Sequence, residues 1–175
     1  MADEPKEPWL NFLALTTVIL AVCATLATFK GGGYSTRSMM SQAQASDQWA
    51  FFQAKSVKSN IYEVARIQME LEADGAPPAR AEALRAKAAD FAKKIAKYDA
   101  EKEGIQADAR KLEDLKAEAQ KHSAAFGIAV IFLQIAILLS SIAALLKKKP
   151  VWWLGLVVGV LGIGFFLNGF FLFLH

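Results

Sequence analysis

The chain has 175 residues, a formal charge of +3 and a hydrophobic fraction of 54%. This length is enough for one ordinary domain, but the apolar residues form three blocks near the two ends, while the middle of the chain is charged. An ordinary soluble domain would interleave the two kinds of residue. The basic side chains of the middle region are matched by acidic ones, and no basic run with interleaved stacking aromatic residues occurs there. We therefore expect no nucleic-acid partner.

The first apolar block covers residues 9–29 and contains no charged residue. A helix that crosses a membrane needs about 20 apolar residues, so residues 1–8 are predicted to be an N-terminal tail and residues 9–29 the first transmembrane helix. A cleaved signal peptide is the alternative, with weak cleavage positions at Ala24 and Ala27. The tail is acidic and the block is long for a signal core, which favours a retained span.

The middle region, residues 30–122, is predicted to form an extramembrane helical hairpin. Gly31 to Gly33 should break or bend the chain after the first span, or serve as a hinge or close-approach point. The first arm is expected at about residues 35–73, and the turn formers from Ala73 to Pro78 end it. The second arm, at about residues 79–122, is rich in strong helix formers and should continue directly into the next span, as one helix from near Ala79 to near Lys147.

Both arms carry apolar residues at alternating steps of three and four, which predicts an antiparallel coiled coil. In the first arm this stripe is Met40, Ala43, Asp47, Ala50, Ala54, Val57, Ile61, Val64, Gln68 and Leu71. In the second arm it is Leu84, Ala88, Phe91, Ile95, Tyr98, Lys102, Ile105, Ala109 and Leu112. We expect the arms to pack through these two stripes.

Two further apolar blocks follow the hairpin. Residues 123–146 and 151–174 are predicted to be transmembrane helices 2 and 3, joined by the short basic loop 147–150. Three lysines in so short a loop resist translocation, so the loop and the N-terminus should be cytoplasmic and the hairpin and His175 periplasmic or otherwise extracytoplasmic. Basic residues flanking the spans on the hairpin side favour the reverse orientation: Lys30, Arg37, Lys111, Lys116 and Lys121.

An aromatic segment at residues 45–56 of the first arm has two apolar sides. Asp47 and Phe51 lie on the predicted hairpin side, and Trp49 and Phe52 lie on the opposite side. A second apolar side needs a second partner, which could be a neighbouring subunit, another part of the chain or lipid headgroups. We favour a neighbouring subunit, and hence a homo-oligomer, with Lys55 laying its stem across the adjacent rings.

The spans contain small and polar residues. Gly155, Gly159 and Gly162 would let helices approach closely in lipid. Interhelical hydrogen bonds are the simplest role for the polar side chains within the spans, and a pore lining is the alternative: Gln134, Ser140, Ser141 and Asn168. The absence of charged residues from the three blocks argues against a pump or coupled transporter.

The run Ala45-Ser46-Asp47-Gln48-Trp49, followed by Gln53-Ala54-Lys55-Ser56, resembles a bacterial three-span membrane family known as domain of unknown function 4337. The resemblance covers nearly the whole chain. It implies a bacterial inner-membrane setting and three spans, and it supplies no activity, ligand or catalytic residue.

The predicted function is therefore structural. We expect an oligomeric inner-membrane protein that presents its coiled-coil hairpin as a spacer, scaffold or docking surface, with the lipid bilayer, further copies of itself and other membrane proteins as partners. A homo-oligomeric channel lined by transmembrane helices is the alternative. The sequence offers no catalytic constellation, phosphate loop or metal spacing, so we expect neither enzyme activity nor a cofactor or metal.

Overall fold

The structure is a computed structural model that describes residues 8–174. In this range it contains three helices: α1 at Pro8–Asp74, α2 at Pro78–Leu146 and α3 at Lys149–Phe171. The predicted all-helical fold class is confirmed, and each helix is long and apolar enough to cross a membrane. His175 and all but the last residue of the predicted tail 1–8 lie outside the described residues.

The break expected at Gly31 to Gly33 does not occur. α1 continues through these residues. A Cβ added to Gly31 would lie 3.0 Å from the Phe126 Cβ. The Ser123 hydroxyl also donates a hydrogen bond to the Gly31 carbonyl oxygen at 3.1 Å. Gly31 is therefore a point of close approach between α1 and α2. The helical cost of a glycine is about 1 kcal/mol, and the packing that this approach allows opposes it.

The prediction of one helix running from near Ala79 to near Lys147 is confirmed by the bounds of α2. The helix ends where Lys147 adopts a left-handed conformation with φ 53°. The Lys148 amide then donates to the Ala143 carbonyl oxygen at 3.1 Å, a pattern that satisfies the last free carbonyl groups of a helix. Pro150 lies in the first turn of α3, where its missing N–H costs nothing.

The chain divides into two compact units. The apolar unit comprises residues 8–39 and 116–174 of the described chain, and the arm unit comprises residues 40–115. α1 and α2 each contribute to both units, whereas α3 lies wholly in the apolar unit.

In the apolar unit the three helices pack through small and aromatic side chains. Near the α2–α3 loop, the Trp9 and Trp152 rings are 6.1 Å apart, and the Trp152 indole N–H donates to the Thr16 hydroxyl at 3.2 Å. Leu20, Leu133 and Ala136 form the next cluster along the unit. A third cluster surrounds the fully buried ring of Phe126.

In the arm unit, α1 and α2 contact each other along their length. Contacts of α1 at Trp49, Lys55, Ser59 and Tyr62 meet α2 at successively earlier positions, from Glu113 through Glu101 and Asp99 to Phe91. The two helices therefore run antiparallel here.

Candidate functional site

The face of α1 that contacts α2 in the arm unit is polar and aromatic. Three of its side chains bond acidic groups of α2: Trp49 to Glu113 at 2.9 Å, Lys55 to Glu101 at 2.5 Å, and Ser59 to Asp99 at 3.2 Å. These bonds are spread over about three helical turns, so they fix the register of the two helices without a continuous apolar layer.

Aromatic rings continue this contact beyond the Ser59–Asp99 bond. The Tyr62 ring of α1 lies 5.5 Å from the Phe91 ring and stacks on the Tyr98 ring at 5.8 Å. The Lys55 ammonium lies 5.3 Å from the centre of the Tyr98 ring, and the Lys94 ammonium lies 5.1 Å from that of Tyr62. Lysine above an aromatic face is an attractive arrangement, so the same lysines serve both ion pairs and ring contacts.

Two carboxyl groups at this contact have lowered pKa values. The hydrogen bond from Lys55 is the main cause of the lowered pKa of Glu101. The hydrogen bond from Lys102 lowers the pKa of Asp99, with a further contribution from the Ser59 hydroxyl. In both cases the partner favours the charged carboxylate, and partial burial opposes this effect.

The apolar stripe predicted for the second arm is the face of α2 that packs inward. All nine of its residues, from Leu84 to Leu112, are buried or half-buried, and Ala109 has no exposed surface. The spacing identified this face correctly because its large apolar side chains do contact the other helix.

The stripe predicted for the first arm is not the packed face of α1, and that prediction is wrong. All ten of its residues, from Met40 to Leu71, are exposed. The residues that face α2 form a second line with the same alternating spacing, and all ten are buried or half-buried: Ser41, Ala45, Gln48, Phe52, Lys55, Ser59, Tyr62, Arg66, Met69 and Ala73. This line was missed because polar side chains occupy half of it, and hydrophobicity alone favours the other face.

The five residues predicted to contact a subunit or partner divide between these two faces. Asp47 is exposed and Phe51 is 52% exposed, whereas Trp49, Phe52 and Lys55 are half-buried on the side of α2. The expected assignment of sides is therefore reversed, and the outward side is that of Asp47 and Phe51. A subunit contact through any of the five stays a prediction.

The glycines predicted to allow close helix packing are all buried within the apolar unit. A Cβ at Gly155 would lie 3.3 Å from the Ser140 Oγ, and one at Gly162 would lie 2.9 Å from Leu133. A Cβ at Gly159 would lie 3.0 Å from Leu20 of α1. These glycines therefore pack α3 against α1 and α2 of the same chain. Gly169, which the sequence analysis did not single out, is the tightest, with the Phe126 ring 2.7 Å from the position of its missing Cβ.

The four polar side chains considered as a pore lining do not share one surface. Gln134 and Ser141 are exposed, and Ser140 and Asn168 are buried. The Ser141 hydroxyl bonds the Ile137 carbonyl oxygen of its own helix at 2.9 Å, and the Asn168 side-chain oxygen accepts the Leu174 amide at 2.7 Å. Ser140 of α2 lies beside Gly155 of α3. Gly155 precedes Asn168 by thirteen residues, which is about 20 Å along the helix.

One polar cluster in the apolar unit was missed by the sequence analysis. The His122 ring stacks on the Tyr34 ring at 4.4 Å, and its Nδ1 lies 2.8 Å from the Gly169 carbonyl oxygen. Together with the Ser123 bond to Gly31, these contacts tie all three helices at one level. Long sequence separations, such as the 47 residues between His122 and Gly169, leave no periodic signal for such a cluster.

The arrangement defines an all-helical chain with three helices capable of crossing a membrane and a charged pair of helical arms. Among residues 8–174, no group of three or more histidine, cysteine or acidic side chains is placed to hold a metal ion. The family described as Domain of unknown function (DUF4337) matches residues 9–172, and the chain belongs to this family. No curated protein and no solved structure is significantly similar to the chain.

Proposed function

We propose that this protein is an integral protein of the bacterial inner membrane that displays its arm unit, as an antiparallel coiled coil, for interaction with other protein chains. The observation that carries the proposal is the exposed apolar line of α1 in the arm unit, which we call the outer stripe: Met40, Ala43, Asp47, Ala50, Ala54, Val57, Ile61, Val64, Gln68 and Leu71. Exposed apolar surface of this extent in an otherwise charged region is typical of an interaction surface.

Membrane insertion is supported by the surface of the apolar unit. Large apolar side chains are exposed on all three of its helices, including Val18, Leu138 and Val157, each about 60% exposed. Leaving this surface in water costs roughly 25 cal/mol per Å², whereas lipid removes the cost. Trp9, Trp152 and Trp153 lie at the end of the unit that carries the lysine loop, as expected at a membrane–water boundary.

The proposed orientation follows the lysine loop. Lys147 to Lys149 remain on the cytoplasmic side together with the N-terminus, and the arm unit lies on the opposite side. A thiol-labelling reagent that cannot cross membranes should therefore label Ala100→Cys from outside the cytoplasmic membrane, in a chain whose natural cysteine is removed by Cys23→Ser. Labelling only after the membrane is opened would reverse the orientation.

An interaction role is favoured over catalysis because the charged side chains facing between α1 and α2 serve structural bonds. Lys55 and Glu101 bond each other, and Asp99 bonds both Lys102 and Ser59. These groups hold the two helices together, whereas a catalytic group would be directed at a substrate.

The proposal is tested by comparing the accessibility of two faces in native membranes. Ile61→Cys lies on the outer stripe, and Ala100→Cys is an exposed position of α2 outside its packed face. If the outer stripe binds another chain, a water-soluble maleimide should label Ile61→Cys several-fold more slowly than Ala100→Cys, and detergent dispersion at low concentration should remove the difference. Equal labelling in native membranes would contradict an interaction surface.

The channel alternative is tested separately by electrical recording. A scaffold predicts that the purified chain in planar bilayers is silent. Reproducible unitary currents that change in Gln134→Leu would favour the pore, since Gln134 is an exposed amide within the apolar part of α2.

A further inference from the structure

The outer stripe has the spacing of one side of a coiled coil. Its ten positions follow steps of three and four residues without interruption from Met40 to Leu71. Five of them carry large apolar side chains that are 58–70% exposed: Met40, Val57, Ile61, Val64 and Leu71. A repeat of 3.5 residues keeps such a line on one side of a helix only when the helix winds around a partner helix, so the stripe fits a helical partner better than a flat one.

The positions beside the stripe carry few charges. On one flank they are Gln44, Phe51, Lys58, Ala65 and Glu72, and on the other they are Ser46, Gln53, Asn60 and Ile67. These are the positions whose charges select partner and orientation in paired helices. With one lysine and one glutamate among nine residues, the flanks neither repel an identical face nor offer charges that would select a strongly acidic or basic partner.

We propose that the outer stripe binds the outer stripe of a second copy of this chain, with the two α1 helices parallel and in register. The direction rests on the proposed membrane function, because two copies inserted in the same orientation direct their α1 helices the same way. The partner is an identical chain because the face it must match is apolar, regularly spaced and nearly uncharged.

The polar position Gln68 favours the in-register pairing. In register, Gln68 lies opposite Gln68, where the two side-chain amides can bond each other, whereas a shift of one heptad would place Gln68 opposite Ile61 and leave its amide against an apolar group, which is costly. A polar side chain inside such a contact sets the register and lowers the stability of the pair. Asp47 lies opposite Asp47 in the same register, and the repulsion between these carboxylates lowers the stability further and keeps the contact reversible.

The size of the stripe suits a contact of this kind. Its 31 helical steps extend about 47 Å, and a face of roughly 10–12 Å width gives on the order of 500 Å² per chain. Two chains together then bury about 1,000 Å², the lower bound for a specific protein interface. The contact is thus large enough to be specific and small enough to need the membrane to hold the two chains close.

Cysteine cross-linking of the full chain in its native membrane tests the pairing. In the Cys23→Ser background, Ala43→Cys and Leu71→Cys place one thiol near each end of the stripe. Ala107→Cys and Ala89→Cys are matched controls at exposed positions of α2 outside its packed face. A mild oxidant should convert Ala43→Cys and Leu71→Cys to disulfide-linked dimers several-fold faster than the controls, because thiols at equivalent positions of a parallel pair lie within reach of each other.

A charge introduced into the stripe provides a second variant that does not depend on oxidation. Ile61→Lys should lower the association constant of the dimer about tenfold or more, the effect of 1.4 kcal/mol, because an unpaired ammonium cannot be buried cheaply. Ala100→Lys should leave it unchanged. Both variants place the lysine at an exposed position of the single chain, so the helix content measured by circular dichroism should equal that of the unmodified chain.

The outcomes separate this inference from the proposed function. Absence of rapid cross-linking, with the outer stripe still protected from maleimide, would show a different protein on the stripe; that result overturns self-pairing and leaves the interaction role standing. Absence of cross-linking together with rapid maleimide labelling overturns both. Cross-linking at the control positions at the same rate would indicate random collision and also overturns the pairing.

Discussion

The two helices of the arm unit each carry an apolar stripe of the same spacing, and the chain uses only one of them for its own packing. The stripe of α2 lies against α1, whereas the outer stripe of α1 lies exposed and a mixed polar and aromatic line faces α2 instead. Periodicity therefore identifies an apolar face of a helix, but it does not say whether that face packs within the chain. A polar face held by specific bonds, such as Lys55 to Glu101, can pack within the chain and leave the more apolar face exposed.

The largest effect expected from this comparison concerns two isoleucines. Ile105 is 9% exposed on the stripe of α2, and Ile61 is 61% exposed on the outer stripe. Ile105→Ala should lower the free energy of opening of the arm unit by about 2–4 kcal/mol, since a buried isoleucine loses contacts and leaves a cavity. Ile61→Ala should change it by no more than about 0.5 kcal/mol in the dispersed chain.

Hydrogen exchange of the arm unit in dilute detergent measures both free energies of opening. Equal losses of opening free energy in the two variants would mean that the outer stripe is packed within the chain, which contradicts its exposure.

A smaller effect is expected for two glycines of α3. A Cβ at Gly169 would lie 2.7 Å from the Phe126 ring, whereas one at Gly164 would have nothing within 4 Å. Gly169→Ala should therefore destabilise the apolar unit by about 1–3 kcal/mol through overpacking. Gly164→Ala should be neutral or slightly stabilising, because alanine is the better helix former. Thermal unfolding of the two variants in the same detergent compares them, and the opposite order would contradict the close approach at Gly169.

A still smaller effect is expected from the polar bonds on the inner face of α1. Trp49→Phe removes the donor to Glu113 and keeps an aromatic ring in place. Because water can replace a partner at this exposed bond, the loss should be about 0.5–1 kcal/mol in the opening free energy of the arm unit. The same substitution should leave cross-linking through the outer stripe unchanged, since Trp49 lies on the side of α2. Loss of cross-linking in Trp49→Phe would show that the subunit contact involves the inner face of α1, and not the outer stripe.

The smallest expected effect is the loss of stability of the arm unit at low pH. The pKa of Glu101 and that of Asp99 are lowered in the folded chain, so each carboxylate contributes stability above its ordinary pKa, and this contribution is lost as the pH falls through the lowered value. The arm unit should therefore lose stability below about pH 4.5, the ordinary pKa of glutamic acid. Lys55→Met should show a smaller loss over this range, measured by circular dichroism at a series of pH values. An identical pH dependence in Lys55→Met would show that the Lys55 bond does not stabilise the charged form of Glu101.

The sequence predicted the helical architecture well, and the reason is physical. Length and apolar composition alone predict helices in the three apolar stretches. The absence of proline and glycine through residues 105–126 predicted that α2 is continuous. Gly31 shows the limit of this reasoning, because the same residue that weakens an isolated helix can stabilise a packed one by admitting the Phe126 side chain.

The inner face of α1 could not be predicted, because its bonds depend on distant partners. Ser59 and Asp99 are 40 residues apart, and Trp49 and Glu113 are 64 apart. Nothing in the local pattern distinguishes these side chains from an ordinary solvated face. A regular 3–4 line containing aromatic and polar residues, next to a more apolar line, is the signal that would have suggested two packed faces on one helix.

The distance between equivalent positions on two chains is the sharpest test of pairing through the outer stripe. A spin label at Ile61→Cys, in the Cys23→Ser chain reconstituted in lipid, reports this distance by pulsed electron paramagnetic resonance. Since paired helix axes lie about 8–10 Å apart, pairing of the two outer stripes predicts a narrow distribution of distances centred within about 20 Å. The distribution for Ala100→Cys should be broader and centred at a longer distance. Distances at Ile61→Cys that are no shorter than those expected for randomly distributed chains would contradict the pairing.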